Sequence, residues 1–212
     1  MVWMVWGLAP AKGQLVESHR RPPTEITPQE FFTRWLPDEL ERLGAASVPD
    51  MTVRVSLTGE GGGSWDLTTS GGKLQVGVSG ARPLVTLLLA VQDWRAIVVG
   101  EAGPVDLSPP SASPTDLLFV DAGSQQLLAT LSGTYRFEVT GYNGRTWSLT
   151  ALFNDETASD PPTATLTIDA ETYGKILARE LAAPEAYFTG KIVISGDAGR
   201  GMQVGLALLP KF

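Results

Sequence analysis

His19 is the only histidine in the chain, and there is no cysteine. A nucleophilic triad needs a base beside its serine, and His19 stands in a Pro-containing leader outside any patterned element, so hydrolase chemistry is not expected. Without cysteine there are no disulfides, thiol nucleophiles or Cys-ligated zinc, which fits a cytoplasmic protein. Asp155, Glu156 and Asp160 form the nearest acidic cluster; their spacing follows no known calcium loop, and they read as a solvated turn. A phosphate cradle needs Gly-Lys-Ser/Thr at the start of a helix. The glycines of GEGGGS (59–64) instead lie between two alternating strands, and those of GDAGRG (196–201) follow a strand. Both read as turns. Asp169 and Glu171 read as caps of a helix starting near residue 171 rather than as an acid–base pair. The sequence therefore predicts no catalytic residue, no metal and no cofactor, and the reading is of a protein that is not an enzyme.

The 16 basic and 23 acidic residues give a net charge of -7, and no basic run goes beyond Arg20-Arg21. A phosphate backbone would be repelled, which excludes nucleic acid as an expected partner. The opening MVWMVWGLAP has no preceding basic region and is too short to cross a bilayer, so neither a signal peptide nor a membrane span is expected. Residues 1–26 read as a flexible arm. Trp3 and Trp6 also admit a second reading, a transient anchor for a membrane surface or a protein partner.

The elements that must position any site follow from periodicity. Thr27-Pro28-Gln29-Glu30 is a capping box with Pro at the first helical position, and Phe31, Phe32, Trp35, Leu36, Leu40 and Leu43 continue an apolar face past Pro37. From Met51 the period is two: Val53, Val55 and Leu57 alternate with polar residues, the glycine turn follows, and Trp65 and Leu67 begin a return strand. Leu74, Val76 and Val78 alternate again, and the apolar run 84–89 suits a strand buried on both faces. VQDWRAIVVG then has helical spacing with a glycine stop. After the Pro/Ser stretch 104–114 the order recurs, with a hairpin turning at Asn143-Gly144, the strand ATLTIDA and a helix carrying Tyr173, Ile176, Leu177 and Leu181. KIVISG and MQVGLALL read as closing strands.

The recurrence is literal. Residues 53–68 and 135–150 align without a gap at an offset of 82, matching at Arg54/Arg136, Gly59/Gly141, Trp65/Trp147 and Leu67/Leu149 among others. At an offset of 79, Thr86/Thr165, Leu87/Leu166 and Ile97/Ile176 coincide. The chain reads as two copies of one strand-hairpin-strand-helix-strand unit. Trp65 and Trp147 would then be equivalent structural residues.

Residues 163–209, ATLTIDAETYGKILARELAAPEAYFTGKIVISGDAGRGMQVGLALL within them, resemble the second half of the sterol carrier protein 2 domain family: a strand, an acidic helix start, an amphipathic helix, a short aromatic segment, Gly-Lys, a strand and Gly-Asp. The hairpin 134–151 extends the likeness. Residues 27–107 match less well, because a Pro-rich linker stands where the family has its aromatic segment and Gly-Lys strand. The resemblance implies an α+β fold, a largely antiparallel sheet covered by helices on one face, in two copies at 27–107 and 115–212 joined by 108–114. Whether the copies share one sheet or form separate domains is left open by the sequence.

What the resemblance implies about function is non-enzymatic binding or carriage of an apolar ligand, of sterol, fatty acyl or isoprenoid type, in a tunnel between sheet and helices. Burying each ligand methylene is worth about 0.8 kcal/mol, so such a site needs no charged cluster. The ligand-binding candidates are Phe137, Val139, Leu149, Leu166 and Ile168 on strands, Ile176 and Leu177 on the helix, and Tyr187, Phe188, Ile192 and Ile194 beyond it. Tyr187 and Phe188 stand in the segment that the family places at its tunnel mouth. The alternatives are a protein-interaction or assembly module whose tunnel is lost, and an accessory subunit of a lipid-modifying enzyme. Oligomeric state is not legible.

Overall fold

The computed structural model describes residues 20–42, 50–77, 80, 82–100, 107, 122–154, 157–178 and 180–207. His19, Trp3, Trp6, Asp155 and Glu156 lie outside them, as do Leu43 and Val78. The end of the expected arm does not hang free: Ile26 is buried, Arg20 donates its backbone N–H to Glu39, and Arg95 reaches the carbonyl of Ile26 at 3.1 Å.

The capping box forms as the sequence predicts. Thr27 accepts from the Glu30 N–H and Glu30 accepts from the Thr27 N–H at the start of α1 (Pro28–Glu30). A π-helical turn, Phe31–Trp35, leads into α2 (Leu36–Arg42). Pro37 has no N–H to continue the ladder, and the wider turn just before it, closed by the Leu36 N–H on the Phe31 carbonyl, accommodates that break. The same turn brings Phe31, Phe32 and Trp35 onto one buried face.

β1 (Met51–Thr58), β2 (Gly63–Ser70), β3 (Lys73–Gly77) and β4 (Val85–Ala90) precede α3 (Val91–Val98). After α4 (Ala122–Thr130) come β5 (Gly133–Tyr142), β6 (Arg145–Phe153) and β7 (Ala164–Asp169), then α5 (Ala170–Leu177), α6 (Ala183–Phe188), β8 (Ile192–Gly196) and α7 (Ala198–Ala207). All eight strands form one sheet in the order β3-β2-β1-β4-β6-β5-β7-β8. Five of its seven pairings are antiparallel and two, β1 with β4 and β5 with β7, are parallel. The fold is α+β, and the two segments read from the sequence meet within one sheet, where β4 pairs with β6.

The topology repeats in register. Arg54 faces Thr86 across β1 and β4, and Arg136 faces Thr165 across β5 and β7. These are the positions related by the offsets 82 and 79, and α3 shifted by 79 falls on α5. The expected closing strand of the first unit is not found among the described residues, and its place beside β4 is taken by β6. β6 lies antiparallel beside β4 as β8 lies antiparallel beside β7.

Three local expectations are corrected. The run 84–89 is not buried on both faces: burial alternates along β4, with Val85, Leu87 and Leu89 inside and Thr86 and Leu88 half-exposed. Residues 202–207 of MQVGLALL are helical and not a strand; Asp197 accepts from the Arg200 N–H and starts α7, whose small residues serve a close helix–sheet contact instead. The tryptophans are not equivalent either. Trp65 faces Val55 while Trp147 faces Val139, although the offset of 82 would pair Trp147 with Phe137. β5 shifts register between Val139 and Tyr142, and Asn143 and Gly144 (φ 46° and 77°) close a tight two-residue turn where the first hairpin uses a longer glycine loop.

Buried apolar residues of both halves form one cluster on one side of the sheet, and the aromatic residues of Phe31–Trp35, Trp94 of α3, Tyr173 of α5 and Val204 of α7 join it.

Candidate ligand site

The registers of the second half lay the candidate strand residues out in two rows on the helix-covered face. Leu149, Phe137, Leu166 and Ile194 stand side by side across β6, β5, β7 and β8. The next row is Trp147, Val139, Ile168 and Ile192. The structure thus brings these strand candidates together and adds Trp147, which sequence reasoning assigned to structure alone. Toward β6 and β5 the rows are sealed, since Phe137, Val139, Leu149, Leu166 and Ile168 are all buried. At β8 they open: Ile192 and Ile194 are half-buried, as are Ile176, Leu177 and Tyr187. Phe188 lies outside the buried set, 82% exposed at the end of α6 with its ring edge-on to Tyr187 at 5.6 Å.

α7 lies close on this floor. A Cβ at Gly201 would stand 2.5 Å from Ile194 Cγ2 and 3.1 Å from Ala164 Cβ, and one at Gly205 would stand 3.8 Å from Leu166 Cδ2. Glycine at 201 is therefore a contact requirement, a role the sequence could show only once GMQVG was known to be helical.

α5 is set by its cap. Asp169 accepts from the Thr172 N–H at 2.8 Å and from Thr172 Oγ1 at 2.7 Å. Burial pushes its carboxyl up, but these hydrogen bonds and those of neighbouring backbone outweigh it and hold the group below the usual carboxylate range. On the same helix Lys175 bonds Glu171 at 2.6 Å, which raises its ammonium pKa. Both carboxylates are thus used by the helix, as their position predicts. Tyr135, on the floor beyond the rows, has its phenol pushed up by burial and donates to the Ser132 carbonyl at 3.0 Å.

The first half is built alike. Phe32 stacks on Trp65 at 4.7 Å, Phe31 stacks on Trp35 at 5.3 Å, and Trp94 stands edge-on to Phe31 at 5.5 Å. On α3, Ile97 and Val98 are 7% and 1% exposed, whereas their counterparts on α5, Ile176 and Leu177, are half-exposed. Both halves bury aromatic side chains between helices and sheet, Phe31, Phe32 and Trp94 in one and Phe137, Trp147 and Tyr173 in the other, and they differ at these two helix positions.

Among the described residues no group of three His, Cys, Asp or Glu side chains could hold a metal ion, and no helix is long and apolar enough to cross a membrane. What the second half offers is a buried apolar floor bordered by the half-buried Ile176, Leu177, Ile192 and Ile194.

Residues 115–208 match the SCP-2 sterol transfer family. The matched segment contains every strand, helix and rim residue of the site just described. No curated protein matches the chain. Among solved structures, sterol carrier protein domain 2 of Helicoverpa armigera is similar at 24% identity over 40% of this chain and 72% of its own, with a TM-score of 0.30. Sterol carrier protein 2 like 2 of Aedes aegypti is similar at 18% identity over 39% and 86%, with a TM-score of 0.25. The sec-alkylsulfatase Pisa1 from Pseudomonas sp. is 15% identical over 83% of this chain and 16% of its own, with a TM-score of 0.19.

Proposed function

We propose that this protein binds and carries an apolar lipid, of sterol, fatty acyl or isoprenoid type, without chemical conversion. The ligand lies between the sheet and α5 and α6, at the edge where Ile176, Leu177, Tyr187 and Ile192 are half-buried and clear of the close contact of α7 with Ile194. The observation that carries the reading is the contrast at equivalent helix positions, Ile97 and Val98 sealed, Ile176 and Leu177 half-exposed. It falls inside the segment that matches the sterol transfer family. Water-exposed apolar surface facing an interior is costly unless something apolar covers it, and a chain of ten methylenes would return roughly 8 kcal/mol on full burial.

The two units are in this reading divergent copies of one sterol carrier protein 2 fold. The first keeps the framework, and with Ile97 and Val98 sealed it serves as the support for β6 through the β4 contact. One ligand per chain is therefore expected, not two.

The test is lipid extraction and mass spectrometry of the gently purified protein, followed by titration with a radiolabelled fatty acid and a labelled sterol. A retained lipid, or saturable binding at one ligand per chain, supports the proposal. Neither retained lipid nor saturable binding of either probe overturns it.

A further inference from the structure

The sheet has a second face, on which the registers place polar residues. Here Arg136 of β5 stands between Thr150 of β6 and Thr165 of β7, and Glu138 stands between Ser148 and Thr167. Val193, 55% exposed, follows Thr167 on β8. One end of the face is covered, where the Ser159 N–H donates to Thr134 Oγ1.

The internal repeat makes Arg136 unusual. Its counterpart Arg54 is answered across the first hairpin by Asp66, with Nε and Nη2 bonded to the two carboxylate oxygens at 2.6 and 2.9 Å. The shifted register of the second hairpin sets Thr150 opposite Arg136 instead. Among the described residues no carboxylate forms an ion pair with Arg136. Glu138, two residues on, is met by the Thr167 hydroxyl at 3.4 Å and by no cation among the described residues.

We propose that two copies of this chain pack through these open faces, about a twofold axis running across the strands above Phe137. Such an axis sets β5 antiparallel over its partner's β5. Arg136 of each copy then meets Glu138 of the other, and the Thr150–Arg136–Thr165 row lies over the Ser148–Glu138–Thr167 row. A twofold contact requires a surface complementary to itself, and an opposite pair two residues apart on one strand has that property. Charge selects the partner. On this face Arg136 and Glu138 cancel, while the chain carries -7. An acidic surface would meet Glu138 and a basic one Arg136; a second copy answers both.

Sedimentation equilibrium of the full chain from low to high micromolar concentration is the test, with folding checked by circular dichroism. The expected result is a mass rising from one chain toward two, at least a tenfold weaker association in Arg136→Glu and in Glu138→Arg alone, and recovery in the double exchange. The two single variants are independent readings of the same like-charge contact, so one that folds suffices. A wild-type mass of one chain throughout overturns the proposal, and so does association that the exchanges leave unchanged or that the double exchange does not restore.

Discussion

The guanidinium of Arg145 on β6 closes on the carboxylate of Asp93 on α3, joining the helix of the first unit to a strand of the second. Trp147 adds its indole N–H to the Asp93 carbonyl at 2.8 Å, and Arg145 lies over the Tyr142 ring at 5.4 Å. Asp93 is 4% exposed, so its charge depends on this partner. Removing one member of a buried pair leaves the other uncompensated, at a cost of about 3–5 kcal/mol. Because a quarter of the Arg145 side chain meets solvent, Asp93→Ala should cost about 2–3 kcal/mol, below the fully buried range. Chemical denaturation of Asp93→Ala, Arg145→Ala and the double variant would measure the coupling. Additive losses would show that the two side chains do not hold the units together.

Gly201 separates α7 from β7 and β8. Its added Cβ would fall 2.5 Å from Ile194 and 3.1 Å from Ala164, with no empty space to receive it. Gly201→Ala should therefore destabilise despite the better helix propensity of alanine, by about 1–3 kcal/mol for overpacking. A rise in melting temperature would mean that α7 does not lie this close.

Acid should loosen the protein through two carboxylates held below their ordinary pKa. Burial pushes Glu39 up, but hydrogen bonds from Arg42 and the Arg20 N–H, with the two positive charges, bring it below the usual range. Asp169 is lowered against burial by its bonds to Thr172. A folded-state pKa below the unfolded one contributes stability that is complete above the unfolded value and lost as pH falls through the folded one. Melting temperature should thus be flat near neutrality and fall from the ordinary carboxylate range downward. Glu39→Gln should be less stable at neutral pH and show a shallower fall; an unchanged slope in that variant would remove Glu39 as a source.

Much of the framework is legible in the residues. The Thr27 capping box, the turn at Asn143-Gly144 and the glycine stop after α3 follow from local chemistry, whereas the parallel pairings of β1 with β4 and β5 with β7 were not legible. What misleads is pattern without tertiary context. Met202 to Leu209 alternates in a way that suits a strand, yet Asp197 caps a helix and the small residues answer to the surface of β7 and β8. The ungapped match of the tryptophans hides a register change, because identity along a sequence does not count the residues spent in a turn or bulge. The site was legible as a set of apolar residues but not as an opening. Ile97 and Ile176 are the same residue type at the same repeat position, and only the bulk packed around them makes one sealed and the other half-exposed.

That pair gives the sharpest test of where a ligand lies. Ile97 is buried in the core, so Ile97→Ala should lose about 3 kcal/mol of stability through transfer and cavity terms. Ile176 is half-exposed, and Ile176→Ala should lose less than about 1.5 kcal/mol on the same reasoning. Binding should respond in the opposite order. If a lipid covers Ile176, truncation removes about 1.4 kcal/mol or more of contact, a tenfold or larger weakening of affinity for the labelled acyl chain. Ile97→Ala, measured where it remains folded, should bind as the parent does. Equal losses of affinity at both positions would place the ligand in both units and contradict one site per chain; loss at Ile97 alone would move it to the first.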